Sequence, residues 1–136
     1  MPSINYLGVV VSAIVIFAIG ALWYSPMLFG RQWIAAHGYT PEKLAEMRQG
    51  MGKAYGITFV CYLVLAAVMN ILINRMLIAT ALGGVKLGAI IWLGFAATIG
   101  LTANVFSEKR FAVYLIDTTY QLMYLIAVAV VLAVWR

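Results

Sequence analysis

The chain has 136 residues, 65% of them hydrophobic and only 10% charged, with a formal net charge of +5. Soluble domains run at about 45–50% apolar and about 25% charged, whereas here the apolar residues gather into long charge-free blocks, as bilayer-spanning helices do. At roughly 20 residues per span, four spans occupy the chain and exclude a second, soluble core.

The nine Lys and Arg residues sit in connections and at helix ends, which fits a topology signal and not a nucleic-acid surface. The single cysteine, Cys61, lies in an apolar block and has no intrachain partner. With one histidine and no Cys/His spacing, no metal and no cofactor are expected. The N-terminal block lacks a basic leader region and ends in Trp23-Tyr24, not in a small-residue cleavage site, so a retained span is expected.

The first span is expected at 4–24. Gly8 and Ser12 are four residues apart and share a face that a second helix can approach closely. Trp23 and Tyr24 close the span as interfacial aromatics, and Pro26 disfavours helix at Ser25. Residues 27–50 then form an interfacial and short helical connection. Met27 to Ala36 is apolar but interrupted by Arg31 and Gln32, and His37-Gly38-Tyr39 reads as a turn. Thr40-Pro41-Glu42 starts a short water-facing helix, with an N-cap, a proline at the first helical position and an acid in the first turn.

The second span is expected at 54–74, with Ala66, Asn70 and Asn74 on one face. Arg75 to Lys86 reads as a connection broken at Gly83-Gly84. The third span, 87–106, is rich in small residues, among them Gly88, Gly94 and Gly100. Small faces pack against other helices, so this span is expected at the centre of the bundle. Ser107-Glu108-Lys109-Arg110 is a tight turn that makes the fourth span, 111–135, an antiparallel neighbour of the third. The unequal connections give no support to an inverted repeat. The fold class is an all-α integral membrane protein: four transmembrane helices in a compact bundle, forming one domain over 1–136.

Both termini of a four-span chain share one side. The first and third connections carry six cations, against Arg75, Lys86 and Arg136 on the other side. Positive-inside logic puts those two connections in the cytoplasm and both termini outside.

Asp117 is the only acid inside a span. A carboxylate there costs a few kcal/mol on insertion scales and needs a partner or water. On its own face lie Tyr114, three residues before, Gln121, four after, and Tyr124 beyond. Antiparallel threading brings Asn104 from the third span, Trp23 and Tyr24 from the first and Thr58 from the second to the same leaflet level. Two uses of such a level stand open: a proton- or cation-responsive carboxylate or polar-headgroup site, and a carboxylate merely held by interhelical hydrogen bonds.

The run Gly20-Ala21-Leu22-Trp23-Tyr24-Ser25-Pro26, with Leu28-Phe29-Gly30 and Trp33 after it, resembles the signature of the uncharacterised bacterial family called domain of unknown function 1761. The third span's Trp92-Leu93-Gly94-Phe95 and the closing Trp135-Arg136 fit the same pattern. The resemblance spans essentially the whole chain. It implies a small four-helix inner-membrane protein and carries over no catalytic residues.

No nucleophile-and-base pair or phosphate loop stands out, so no enzymatic activity is expected. The first expectation is a self-associating homo-oligomer that binds membrane lipid or a membrane partner. The alternative is a small transporter or channel using Asp117. A lipid-acting enzyme lacks visible machinery.

Overall fold

A computed structural model describes residues 4–135 of the chain. Arg136, one of the cations used above for orientation, lies outside the described residues. All regular structure within them is helical, and four helical stretches are long and apolar enough to cross a membrane. Their bulky outward residues, such as Ile14, Val64, Ile90, Leu93, Ile99 and Val105, are exposed on the bare bundle. A largely apolar exterior of this kind suits lipid better than water.

The first span is α1 (Tyr6–Trp23). Asn5 caps it, its side chain accepting from the Gly8 backbone N–H at 2.9 Å. Asn5 also draws together the end of the bundle remote from Asp117. Its backbone N–H donates to Asn70 Oδ1 at 3.0 Å, and its amide donates to the Trp135 carbonyl at 3.2 Å. Gly8 and Ser12 are buried, and a Cβ on Gly8 would meet Leu132 Cδ2 at 3.1 Å. The absent side chain thus sets how closely the first and last spans pack there.

After α1 the chain turns back on itself. The Phe29 N–H donates to the Trp23 carbonyl and the Gly30 N–H to that of Ser25, both at 3.0 Å. A Cβ on Gly30 would collide with the Tyr24 and Ser25 carbonyls, so this turn requires glycine. The reversal launches α2 (Gly30–His37), which lies against the last span and ends at Gly38 in the left-handed region, φ 72°. The short helix α3 (Pro41–Arg48) follows, with Thr40 Oγ1 accepting from the Lys43 N–H at 3.2 Å, and none of its residues is buried.

The second span is α4 (Met51–Arg75). The third differs from expectation at its start. Gly83-Gly84 is not a break: α5 (Ala81–Ile91) begins before it, capped by Thr80, whose Oγ1 accepts from the Gly83 N–H at 3.0 Å. Glycine persists in this helix because packing needs it. A Cβ on Gly84 would lie 2.8 Å from the Ala129 carbonyl oxygen, and one on Gly88 2.8 Å from Ile126 Cα. The span continues through a π-helical turn, Trp92–Ala96, into α6 (Ala97–Phe106).

The final span, α7 (Phe111–Val134), is the centre of the bundle, a place expected for the third span. Helix α7 packs against α1, α2, α4, α5, the π turn and α6. It contributes Val128, Ala129, Leu132 and Ala133 to the core, which Ile16 and Ile73 complete from α1 and α4. The third span uses its small residues on one side only, to approach α7. Gly94 faces open space. Small residues permit close approach, but filling a centre takes side-chain volume.

Candidate functional site

The residues around Asp117 come from both ends of the sequence. The reversal after α1 aims three aromatic side chains at one turn of α7. Tyr24 donates its hydroxyl to Asp117 Oδ1 at 2.6 Å, and Trp33 donates its indole N–H to the same oxygen at 3.1 Å. Trp23 donates to the neighbouring Ile116 carbonyl at 3.0 Å. From the other flank the Trp92 indole donates to the Thr118 carbonyl at 2.8 Å. Residues 116–118 are therefore clamped from α1, α2 and the third span, and the signature stretch supplies three of the four donors.

Behind this clamp lies a tyrosine stack. Tyr24 meets Tyr120 edge-on at 5.3 Å between ring centroids, and Tyr120 meets Tyr124 at 4.9 Å. The Tyr120 hydroxyl donates to the Ile16 carbonyl at 2.8 Å, which leaves Tyr62 as donor in the 3.2 Å contact between their oxygens. Gly20 makes room for this, since a Cβ there would stand 2.6 Å from the Tyr120 oxygen. Buried phenols are expected to carry such partners.

Toward the third connection, Asp117 borders a polar cavity of about 140 Å³. Asn104, Ser107, Lys109, Tyr114, Thr118 and Gln121 line it with the carboxylate. Asn104 closes the turn by donating to the Arg110 carbonyl at 3.4 Å, and Tyr114 donates to the Ala97 carbonyl at 2.7 Å. Among the described residues, Asp117 Oδ2 and the Gln121 amide have no hydrogen-bond partner within the chain. Farther along the bundle from the third connection, a groove of about 500 Å³ lies between α4 and the third span. It is apolar, lined by residues such as Leu65, Val68, Phe95 and Ile99. Gly100 and Gln121 border both spaces.

On the outer edge of the clamp, His37 stacks on Tyr39 at 4.6 Å between ring centroids, and Trp33 packs tilted against His37 at 4.2 Å. His37 Nε2 is buried there without a hydrogen bond. Burial, and after it the Lys109 ammonium, push the imidazole below its ordinary pKa, against a smaller opposing pull from Asp117.

The structure brings together Asp117, Tyr114, Gln121, Tyr124, Asn104, Trp23 and Tyr24. Thr58 stays apart: this half of α4 packs on Phe17 of α1 through Tyr55, Phe59 and Tyr62, and no cavity lining or hydrogen bond links Thr58 to Asp117 among the described residues. The clamp on residues 116–118 is built from the end of α1, α2 and the third span, and α4 reaches the tyrosines behind it through Tyr62, not Thr58. Trp23 and Tyr24 point inward to α7 and are not outward-facing anchors, because the backbone reversal at Ser25 to Gly30 turns that end of α1 toward α7. The structure adds Trp33, Tyr120, Tyr62 and Trp92 to the site. The sequence carries a signal for two of them: Trp33 stands in the signature stretch, and Tyr120 lies three residues after Asp117 on the same face. No group of metal-ligating side chains occurs among the described residues.

Four apolar helices around a polar clamp define a small multi-span helical bundle of membrane type. The chain belongs to the family described as protein of unknown function (DUF1761), whose match covers residues 7–133. No curated protein and no solved structure matches the chain.

Proposed function

We propose that this protein is a membrane-embedded binding module for an amphiphile, held in the cleft that runs from the Asp117 cavity into the groove between α4 and the third span. The observation that carries this is the adjacency of the two spaces, whose linings share Gly100 and Gln121. One compartment is polar and close to the membrane surface; the other is apolar, opens toward lipid, and has a volume within the range of small-molecule sites, about 300–1,000 Å³. The π turn on the groove wall adds weight, because π turns gather at functional sites.

Binding is favoured over conduction by the packing beyond Asp117. Ile16, Ile73, Val128 and Leu132 are fully buried on the remaining path across the bundle. A channel or transporter using Asp117 would have to part this core. Self-association belongs to the same proposal, with the open glycine face of Gly52 and Gly56 on α4 available to a second copy.

The test is native mass spectrometry of protein released from membranes. A retained lipid-mass adduct is expected on the parent chain, and its loss on Ile99→Trp, which fills the groove from the lipid side. Equal retention by both proteins, or none by either, would sink the proposal.

For orientation, we place both termini outside the cytoplasm of the bacterial inner membrane, on the cation bias of the connections. A cysteine introduced at Glu46 in a Cys61→Ala background should resist an impermeant thiol reagent added to intact spheroplasts. Prompt labelling would reverse the topology.

A further inference from the structure

The cleft has a definite order of chemistry along the membrane normal, and that order constrains what fits it. Lys109 stands at the mouth, in the exposed turn before α7. Asp117 comes next, six residues into α7, or roughly 9 Å from its start at 1.5 Å per residue. Gln121 follows one turn deeper, roughly 6 Å farther. Beyond it the walls are apolar. The sequence of groups is thus a cation, an acceptor, an amide that can donate, and an apolar groove.

We propose that the occupant is a monoacyl phospholipid, with its phosphate at Lys109, its free glycerol hydroxyl donating to Asp117 Oδ2, its ester carbonyl accepting from the Gln121 amide, and its one acyl chain in the groove. This rests on the amphiphile-binding proposal above and specifies its ligand. The match follows from complementarity at each depth. Oδ1 is already occupied by Tyr24 and Trp33, so only Oδ2 faces a ligand, and it needs a donor. A monoacyl glycerol backbone offers a hydroxyl there. A diacyl lipid offers a second ester, which has acceptors only, and a second chain that competes for the same groove of about 500 Å³. An acceptor facing an acceptor is the repulsive element that separates such ligands. A free fatty acid sets its own carboxylate against Asp117 and leaves Lys109 unused.

Asp117→Asn isolates the interaction. An asparagine carbonyl can still accept from Tyr24 and Trp33, which preserves the clamp, but it presents an NH2 donor toward the cavity in place of Oδ2. Lys109→Ala changes only an exposed turn residue, so its effect on stability is expected to be small.

The experiment is photo-crosslinking in dioleoyl phosphatidylcholine vesicles containing the full chain, using lysophosphatidylethanolamine with a diazirine in its palmitoyl chain. Adducts are mapped by peptide mass spectrometry. Saturable labelling is expected on the groove segments around Val68 and Ile99. Unlabelled lysophosphatidylethanolamine should compete at least tenfold better than palmitoyl-oleoyl phosphatidylethanolamine or palmitic acid. Lys109→Ala and Asp117→Asn should each lower labelling several-fold, and Ile99→Trp should abolish it.

If the diacyl lipid competes equally, or both polar variants label normally, the monoacyl assignment is overturned while amphiphile binding stands. If no lipid gives saturable labelling of the groove, or Ile99→Trp leaves labelling unchanged, both proposals fall together.

Discussion

Asp117 illustrates how a polar residue is tolerated inside an apolar helix. Its carboxyl group is costly in hydrocarbon unless partnered. Tyr24 and Trp33 meet that need at one oxygen, and the cavity receives the other. Ser12 is the contrasting case. Its hydroxyl is buried between helices with no hydrogen bond. An unsatisfied buried polar atom costs about 1–3 kcal/mol, and alanine fits the same space. Ser12→Ala is therefore expected to raise thermal stability in detergent, with a gain of about 1 kcal/mol; a drop in melting temperature would mean that the hydroxyl has a partner. His37 supplies a pH dependence. Its imidazole titrates lower in the folded protein than its ordinary value of about 6.5, so the unfolded state binds the proton more readily. The stabilising contribution is then complete above about pH 6.5 and is lost as pH falls through the folded value. Melting temperature measured from pH 8 to pH 5 should fall, and His37→Phe should flatten the part of that slope carried by the imidazole.

Among the elements, the third span depends on where its glycines point. Gly84 and Gly88 lie against the α7 backbone, while Gly94 looks into open space, as do Gly52 and Gly56 on α4. Gly88→Ala puts a methyl group 2.8 Å from Ile126 Cα and 2.9 Å from Leu125 O, and neither backbone atom can swing aside. A loss of about 1–3 kcal/mol is expected, as for overpacking generally. Gly52→Ala meets nothing and should gain up to about 1 kcal/mol from helix propensity. Reversible unfolding in mixed micelles would separate the two, and equal effects would contradict the packing described for α5 and α7. The same distinction explains why Gly83-Gly84 does not break the helix. In water a Gly-Gly pair is a common stop. Here Gly84 sits against α7, and removing side chains is what lets the two backbones meet.

Across the whole molecule, stability is concentrated on α7, which touches every other span, while α3 buries nothing. Leu132→Ala, in the fully packed part of the core, is expected to cost about 2–5 kcal/mol. Leu44→Ala in α3 should stay within about 0.5 kcal/mol. A comparable penalty at both positions, measured by thermal unfolding, would mean that α3 docks on a surface absent from the isolated chain. The bundle is thus solid toward the end where Asn5, Asn70 and Trp135 meet. The groove lies between α4 and the third span, both of which pack on α7, and the smaller cavity lies nearer the Asp117 end.

Much of this was legible in the chain itself. The four spans, the Thr40 cap, the tight turn at residues 107–110 and the solitary intramembrane carboxylate all follow from hydropathy and local backbone chemistry, which act over a few residues. So does the grouping of Tyr114, Asp117, Gln121 and Tyr124, since helical geometry alone puts them on one side. Other features required the tertiary structure. Whether Trp23 and Tyr24 face lipid or α7 depends on a reversal held by backbone hydrogen bonds between residues 23 and 30. Which span lies at the centre depends on volume summed over all four helices, not on the small residues of one. Thr58 shares a depth with Asp117 but not a side, because depth follows from chain length and side from how helices lean. The placing of the Asp117 cavity beside the apolar groove, with Gly100 and Gln121 lining both, depends on the spacing between helices far apart in sequence, and no single segment encodes that spacing.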